Sequence, residues 1–123
     1  AMIALASHSP VLSEEEQRIA DAYVAFLRAM PYAPPVDGTP RPEIMEYLLT
    51  REVIVRAGDV FFAADAYIDM VTRITARLRE KGPITLAEVR DMFGTSRRYA
   101  QALLEHLDAE RVTKRVGDAR VLR

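Results

Sequence analysis

Two adjacent arginines stand where a helix is expected to begin, near the C-terminal end of the chain. The segment Thr95-Ser96-Arg97-Arg98 follows a glycine and leads into a stretch with helical apolar spacing, so it predicts a first helical turn. Such a turn presents unpaired backbone N–H groups and partial positive charge, which attract anions and repel arginines. Arg97 and Arg98 therefore predict a phosphate site, with Thr95 and Ser96 as caps that can also touch phosphate.

A short basic hairpin is predicted directly after this helix. Val112–Val116 and Ala119–Leu122 flank a Gly-Asp turn, which is typical of two paired strands. Consecutive strand residues point to opposite faces, so Lys114 and Arg115 cannot join one patch equally, whereas Arg120 across the turn can side with either. These cations extend the predicted phosphate surface. The alternative is an edge strand protected by its charges.

The net charge of −1 conceals an uneven distribution. Residues 1–72 hold 5 Lys/Arg and 11 Asp/Glu, giving −6, whereas residues 73–123 hold 12 and 7, giving +5. This asymmetry indicates one acidic and one basic working surface. Arg73 and Arg77 share a helix face and could extend the basic surface, but a solvated face explains them as well.

The sequence lacks the residues that several classes of function require. The 123-residue chain has no cysteine, which removes disulfides and thiolate metal sites and fits a reducing compartment such as the cytoplasm. The two histidines, His8 and His106, have no companion at ligand spacing, so no metal site is expected. No phosphate-binding loop and no catalytic triad is present, so we predict a protein that is not an enzyme and needs no cofactor. No apolar run could span a membrane, and the N-terminus lacks the basic start of a secretory signal.

The second half of the chain predicts a helix, a short strand, two further helices and a hairpin. Its first helix is expected over Ala66–Lys81, with Asp65 as N-cap and Gly82 as its end. Thr85-Leu86-Ala87-Glu88 is a capping box that opens a short second helix, and the third helix is expected over Ser96–Glu110. This order is that of a winged helix, in which a helix-turn-helix core is followed by a β-hairpin wing.

The first half predicts the same order with one helix missing. Ser13-Glu14-Glu15-Glu16 is a capping box for a helix. The apolar residues expected inside that helix are Ile19, Tyr23, Phe26, Leu27 and Met30. Five prolines between Pro31 and Pro42 predict a loop, after which a short helix is expected over Glu43–Thr50 and a hairpin around Gly58-Asp59. We therefore predict a mainly α fold with small β-hairpins, an α+β protein of two tandem winged-helix modules, residues 1–65 and 66–123.

A family resemblance is carried by specific stretches of the second half. These are Ile84–Asp91, Gly94–Ala100, Leu103–Glu105, Leu107–Asp108 and Val112–Asp118. They resemble the C-terminal end of the bacterial selenocysteine-specific translation elongation factor. Ala6–His8, Leu12–Ser13 and Pro31–Pro35 resemble the preceding module of that family more loosely, and Val36–Pro42 departs from it by replacing a full second helix.

The resemblance implies a winged-helix fragment that binds an mRNA hairpin, the selenocysteine insertion element, and holds the factor beside a UGA codon that is recoded. In that family the RNA contacts come from the start of the final recognition helix and from the wing. The matching positions here are Thr95, Ser96, Arg97, Arg98, Lys114, Arg115 and Arg120. The resemblance also implies a monomer that meets GTP, selenocysteinyl-tRNA and the ribosome only through the rest of the full-length factor.

Two other functions remain open from the residues alone. A winged helix is common in DNA-binding transcriptional regulators, which usually dimerise to read two half-sites. The acidic first half could also be a protein-docking module. A monomer that prefers hairpin RNA to duplex DNA would favour the translation factor.

Overall fold

The computed structural model describes residues 11–123 and confirms the α+β class. Within that range it has five helices and two small antiparallel sheets. The elements are α1 (Glu14–Ala29), α2 (Pro42–Thr50), β1 (Ile54–Ala57), β2 (Val60–Ala63), α3 (Ala64–Lys81), β3 (Ile84–Thr85), α4 (Leu86–Phe93), α5 (Arg97–Ala109), β4 (Thr113–Val116) and β5 (Ala119–Leu122). The predicted match at Ala6–His8 lies outside the described residues. None of the described helices is long and apolar enough to cross a membrane.

Local sequence signals set most helix ends. Ser13 Oγ accepts the Glu16 N–H at 3.1 Å while Glu16 Oε1 accepts the Ser13 N–H at 3.0 Å, so the predicted capping box is confirmed. The same reciprocal pair forms between Thr85 and Glu88 at the start of α4. The predicted cap at Asp65 is wrong, because α3 begins at Ala64, directly after β2, and Asp65 lies in its first turn.

The buried face of α1 differs from the predicted one. Ile19, Phe26 and Met30 are 39%, 49% and 52% exposed. The residues that α1 buries are Ala20, Tyr23, Val24 and Leu27. Both series have helical spacing and share Tyr23 and Leu27, so only the position of α2 and β2 decides which side turns inward.

Two apolar cores meet at the first hairpin. One core joins α1 and α2 to Ile54, Ala63 and Phe61 of the hairpin. The other joins α3, α4 and α5 to Val60 and Phe62 from the opposite face of the same hairpin. Because side chains alternate along a strand, two short strands can contribute to both cores. The hairpin therefore ties the first half of the chain to the helices that carry the predicted site.

The second sheet places its strands in the order β3-β5-β4, with β5 in the centre. Strand β4 pairs with β5 so that Lys114 lies opposite Val121 and Arg115 opposite Arg120. Strand β3 covers the other edge of β5, with Ile84 opposite Arg120. In the wing, β4 is therefore an edge strand that carries Lys114 and Arg115, whereas β5 is a central strand that carries Arg120.

The two hairpins repeat one local design. Arg56 Nε donates to the Gly58 carbonyl at 3.0 Å, and Arg115 Nε donates to the Gly117 carbonyl at 3.1 Å. Each glycine has a positive φ, 63° and 61°, and the two lie 59 positions apart. Further pairs at the same spacing are Glu52 and Arg111, both with positive φ, and the Val53-to-Leu48 and Val112-to-Leu107 backbone hydrogen bonds. The shared geometry identifies β1–β2 as a wing of the same type as β4–β5.

Candidate nucleic-acid interface

The tip of α5 is open, and the caps predicted at Thr95 and Ser96 do not form there. Helix α4 is capped by Gly94, whose left-handed φ of 59° turns the chain into α5. Ser96 occupies the N-cap position of α5 but its side chain caps no N–H group there. Within residues 11–123, Arg97 is exposed and forms no ion pair. The first turn therefore offers backbone N–H groups and one guanidinium to an anion.

Arg98 forms an ion pair with the first wing. Its Nη2 lies 2.6 Å from Oδ2 of Asp59, the residue in the turn of the β1–β2 hairpin. Both side chains are more than half exposed, so this ion pair contributes about 0–1 kcal/mol and can yield to a phosphate. An open groove of about 680 Å³ separates α5 from the wing turn here and is lined by both arginines, Asp59 and Gln101.

Thr95 links the tip to the proline-rich loop instead of facing outward. Its Oγ1 donates to the Tyr32 carbonyl at 2.7 Å, and its N–H donates to the Arg90 carbonyl at 2.9 Å. Thr95 does not cap α5, since Ser96 holds the N-cap position. The Thr95 hydroxyl hydrogen is therefore already used in the bond to Tyr32 and is not available to a phosphate, contrary to the predicted role.

Tyr32 makes three more contacts in the same place. Its hydroxyl donates to Asp69 Oδ2 at 2.6 Å, and this hydrogen bond raises the pKa of the Tyr32 hydroxyl above its usual range. Its ring lies 5.0 Å from the Phe93 ring, centroid to centroid. Arg73 stacks its guanidinium 4.7 Å from the Phe93 centroid and reaches the Tyr32 hydroxyl at 3.3 Å. Arg73 thus belongs to this contact between loop and turn.

The wing presents two of its three predicted cations. Lys114 and Arg115 are exposed on β4, on opposite faces as the strand alternation requires. Arg115 also donates through Nε to the carbonyl of Gly117 in the turn. No ion pair engages Lys114 in the described part of the chain.

Arg120 is a correction to the predicted surface. It is only 4% exposed, because it lies on the central strand β5 with a neighbour on each side. Its Nη2 lies 2.9 Å from Oδ2 of Asp108, and Thr113 Oγ1 donates to the other oxygen of that carboxylate at 2.6 Å. The guanidinium therefore holds the wing against the end of α5 and is not available to a ligand.

Other candidates also have structural roles. Arg77 pairs with Glu88 at 2.5 Å and donates to the Gly82 carbonyl at 3.0 Å, and these contacts fix the turn between α3 and β3. The bond from Arg77 lowers the pKa of Glu88. His106 is half-buried with its ring 5.3 Å from that of Tyr67, so it packs between α5 and α3. Within residues 11–123, no group of three or more His, Asp or Glu residues is placed to hold a metal.

Sequence reasoning missed Asp59, Tyr32 and Asp108. Asp59 carried a signal, because the Arg-x-Gly-Asp turn of the second wing has a copy at Arg56. No sequence signal pointed to a structural role for Asp108, because its ion-pair partner Arg120 was expected at the surface. Tyr32 stands among prolines without periodicity, so its contacts follow only from the packing of the two halves.

Fold and site together define a winged-helix protein with a basic recognition-helix tip and wing. Residues 76–122 match the family described as the winged helix of elongation factor SelB. A curated relative, the selenocysteine-specific elongation factor of Desulfomicrobium baculatum, is 26% identical over 82 residues, which cover 66% of this chain and 13% of that protein. The family match lies in the second half of the chain, and the chain spans only a small part of its curated relative.

Solved structures show the same fold over most of the chain. One is the mRNA-binding domain of elongation factor SelB from E. coli in complex with SECIS RNA, with a TM-score of 0.69 and 22% identity, covering 91% of this chain and 99% of that chain. Another is a bacterial selenocysteine-specific elongation factor, EF-Sec, with a TM-score of 0.63 and 20% identity, covering 90% of this chain and 18% of that chain. The likeness covers about nine-tenths of the chain and therefore extends beyond the second half.

Proposed function

We propose that this chain is the mRNA-binding C-terminal part of a selenocysteine-specific elongation factor. It recognises a selenocysteine insertion hairpin and thereby directs recoding of a UGA codon. The observation that carries the proposal is the open tip of α5, where Arg97 is exposed beside uncapped N–H groups in a SelB-type winged helix. The likeness to a domain solved with SECIS RNA supports the same ligand.

The chemistry of the tip suits a folded RNA. Affinity comes from phosphate contacts by Arg97, Arg98 and Lys114 and is therefore salt-dependent. The deep, narrow major groove of A-form RNA excludes a helix, so α5 presents its N-terminal tip to the loop and upper stem. Specificity follows from unstacked loop bases and backbone shape. This role is binding without catalysis.

The remaining partners follow from the same role. The chain acts as two winged-helix modules, residues 1–65 and 66–123, of which the second grips the RNA. It works as a monomer in the cytoplasm, where translation occurs. The ribosome, GTP and selenocysteinyl-tRNA are engaged through the rest of the full-length factor. The matched region covers only 13% of the curated relative, so the regions that would bind these partners lie in the remainder of such a factor.

A competition titration tests the proposal. The wild-type chain is titrated with a labelled RNA stem-loop that has an unpaired purine in its loop, against unlabelled duplex DNA carrying the same number of phosphates. We expect the RNA to bind at least about tenfold tighter and its log affinity to fall linearly with log salt. Equal or tighter binding to the duplex, with a dimer in solution, would instead support a DNA-binding regulator.

A further inference from the structure

We infer that Tyr32, in the proline-rich loop of the first half, is a positioning residue for the RNA-binding tip of α5. This inference rests on the proposed function. Tyr32 lies more than sixty positions from the arginines in sequence, yet its carbonyl receives the Thr95 hydroxyl at 2.7 Å, one residue before the N-cap Ser96. A loop of the first half is thus bonded to the turn that aims the tip.

The turn itself has few restraints of its own. It consists of Gly94, Thr95 and Ser96 between α4 and α5, and the side chain of Ser96 makes no capping bond. The Thr95 N–H donates to the Arg90 carbonyl of α4, and the Ser96 carbonyl accepts the Ala100 N–H of α5, so these bonds tie the turn only to the two helices that it joins. The bond from the Thr95 hydroxyl to Tyr32 ties the turn to a fixed point outside them.

Tyr32 is held firmly enough to act as that point. Its hydroxyl is bonded to Asp69 on α3, and its ring packs on Phe93, the last residue of α4. Arg73 lies over both rings, at 5.9 Å from Tyr32 and 4.7 Å from Phe93. The ring and the hydroxyl therefore orient the backbone carbonyl that Thr95 needs, and every one of these contacts lies outside the arginine tip.

This arrangement gives the first half a role in RNA binding without an RNA contact of its own. Loss of the Tyr32 side chain frees the loop carbonyl and lets the turn sample other orientations. Phosphate binding by Arg97 and Arg98 then includes the cost of ordering the tip. Residues remote from a ligand typically change affinity about threefold to thirtyfold through such coupling.

The test compares Tyr32→Ala with Tyr32→Phe and Tyr47→Ala in the full chain. Tyr47→Ala is the matched control, because Tyr47 is a half-buried tyrosine of the first half that stacks under Arg51, away from the tip. Affinity for the RNA stem-loop is measured at a temperature where circular dichroism shows every variant folded. We expect Tyr32→Ala to bind about threefold to thirtyfold more weakly. Tyr32→Phe, which keeps the ring on Phe93, should recover most of the loss, and Tyr47→Ala should bind like wild type.

Amide chemical shifts give a readout that does not depend on RNA. In Tyr32→Ala the amide resonances of Ser96, Arg97 and Arg98 should move, whereas in Tyr47→Ala they should stay in place. Thr95→Val, which keeps the shape but removes the hydroxyl, should lower RNA affinity, and combining it with Tyr32→Ala should add little. Unmoved tip resonances in Tyr32→Ala, or RNA affinity equal to that of Tyr47→Ala, would overturn the inference. A wild-type chain that binds no RNA would instead refute the proposed function, and the tip resonances would still decide the role of Tyr32.

Discussion

Buried Arg120 and half-buried Asp108 form an ion pair, with 2.9 Å between Nη2 of the arginine and Oδ2 of the carboxylate. Thr113 donates to the second carboxylate oxygen, so three residues from α5, β4 and β5 close one polar cluster. At the same spacing of 59 positions the first wing has Leu49, Ile54 and Phe61. The two wings therefore solve the same packing problem, one with a charged cluster and the other with apolar side chains.

Breaking this cluster should destabilise the second wing. Arg120→Ala leaves the half-buried Asp108 carboxylate without its charged hydrogen-bond partner, which should lower the unfolding free energy by about 1.5–3 kcal/mol. Urea unfolding followed by circular dichroism measures the loss. The matched control replaces the whole cluster with the residues of the first wing, Asp108→Leu, Thr113→Ile and Arg120→Phe, and should restore stability close to wild type because buried ion pairs can be exchanged for apolar groups. An Arg120→Ala protein as stable as wild type would contradict the structural role.

Arg97 and Arg98 should each contribute to RNA affinity. Arg97→Ala and Arg98→Ala are expected to weaken binding by about 1–3 kcal/mol each, the range for a charge-assisted contact. Each should also reduce the slope of log affinity against log salt by about 1. Arg18→Ala, which removes one exposed arginine from α1, is the control and should change neither quantity appreciably. Wild-type affinity in both tip variants would refute the site.

Asp59→Asn should release Arg98 toward the RNA. The present ion pair must open before Arg98 meets a phosphate, and exposed pairs contribute about 0–1 kcal/mol. Binding of the RNA stem-loop should therefore tighten by up to about 1 kcal/mol in Asp59→Asn. Asp118→Asn, at the equivalent place in the second wing, is the control for the loss of one negative charge. Weaker binding in Asp59→Asn would show that Asp59 positions Arg98 and does not compete for it.

Sequence signals predicted those parts of the fold that depend on local chemistry. The capping boxes at Ser13 and Thr85 set their helix starts because both partners lie within four residues. The turns at Gly58 and Gly117 follow from the need for positive φ. These features need no knowledge of the rest of the chain.

Burial of the wing arginines could not be predicted in the same way. Arg115 and Arg120 have the same residue type and lie directly opposite each other, yet one is exposed and the other buried. Arg120 lies on the central strand between β3 and β4 and bonds Asp108 of α5, whereas Arg115 lies on the edge strand. The first wing carries the one sequence signal for this burial, because Phe61 occupies the position equivalent to Arg120 and packs against the apolar core.

The capping box of α1 should make stability depend on acid pH. The hydrogen bond from the Ser13 N–H, and to a lesser extent the one from Arg41 Nη2 at 2.6 Å, lower the pKa of Glu16 from its ordinary 4.5 to about 2. A lowered folded-state pKa stabilises the fold above pH 4.5, and this contribution is lost as the pH falls toward 2. Glu16→Gln keeps the reciprocal bonds without the charge, so its urea midpoint should be lower than wild type at pH 7 and converge with it near pH 2. Parallel midpoint curves for the two proteins would contradict this contribution.

Tyr23 should respond to alkaline pH. It is 5% exposed, its hydroxyl has no hydrogen-bond partner among residues 11–123, and burial raises its pKa to about 12. Between pH 10 and 12 the unfolded chain loses this proton while the folded chain keeps it, so stability should fall as the pH rises through that window.

Tyr23→Phe isolates that contribution. The substitution removes an unsatisfied buried hydroxyl and leaves no large cavity, so it should raise the unfolding free energy by about 1 kcal/mol at pH 7. The difference between the two proteins should widen above pH 10, where only the wild type can ionise at position 23. Tyr47→Phe, which removes the hydroxyl of a half-buried tyrosine, provides the comparison in the same urea titrations. A loss of stability in Tyr23→Phe at pH 7 would mean that the hydroxyl is bonded in the folded protein, and the alkaline effect would then shrink with it.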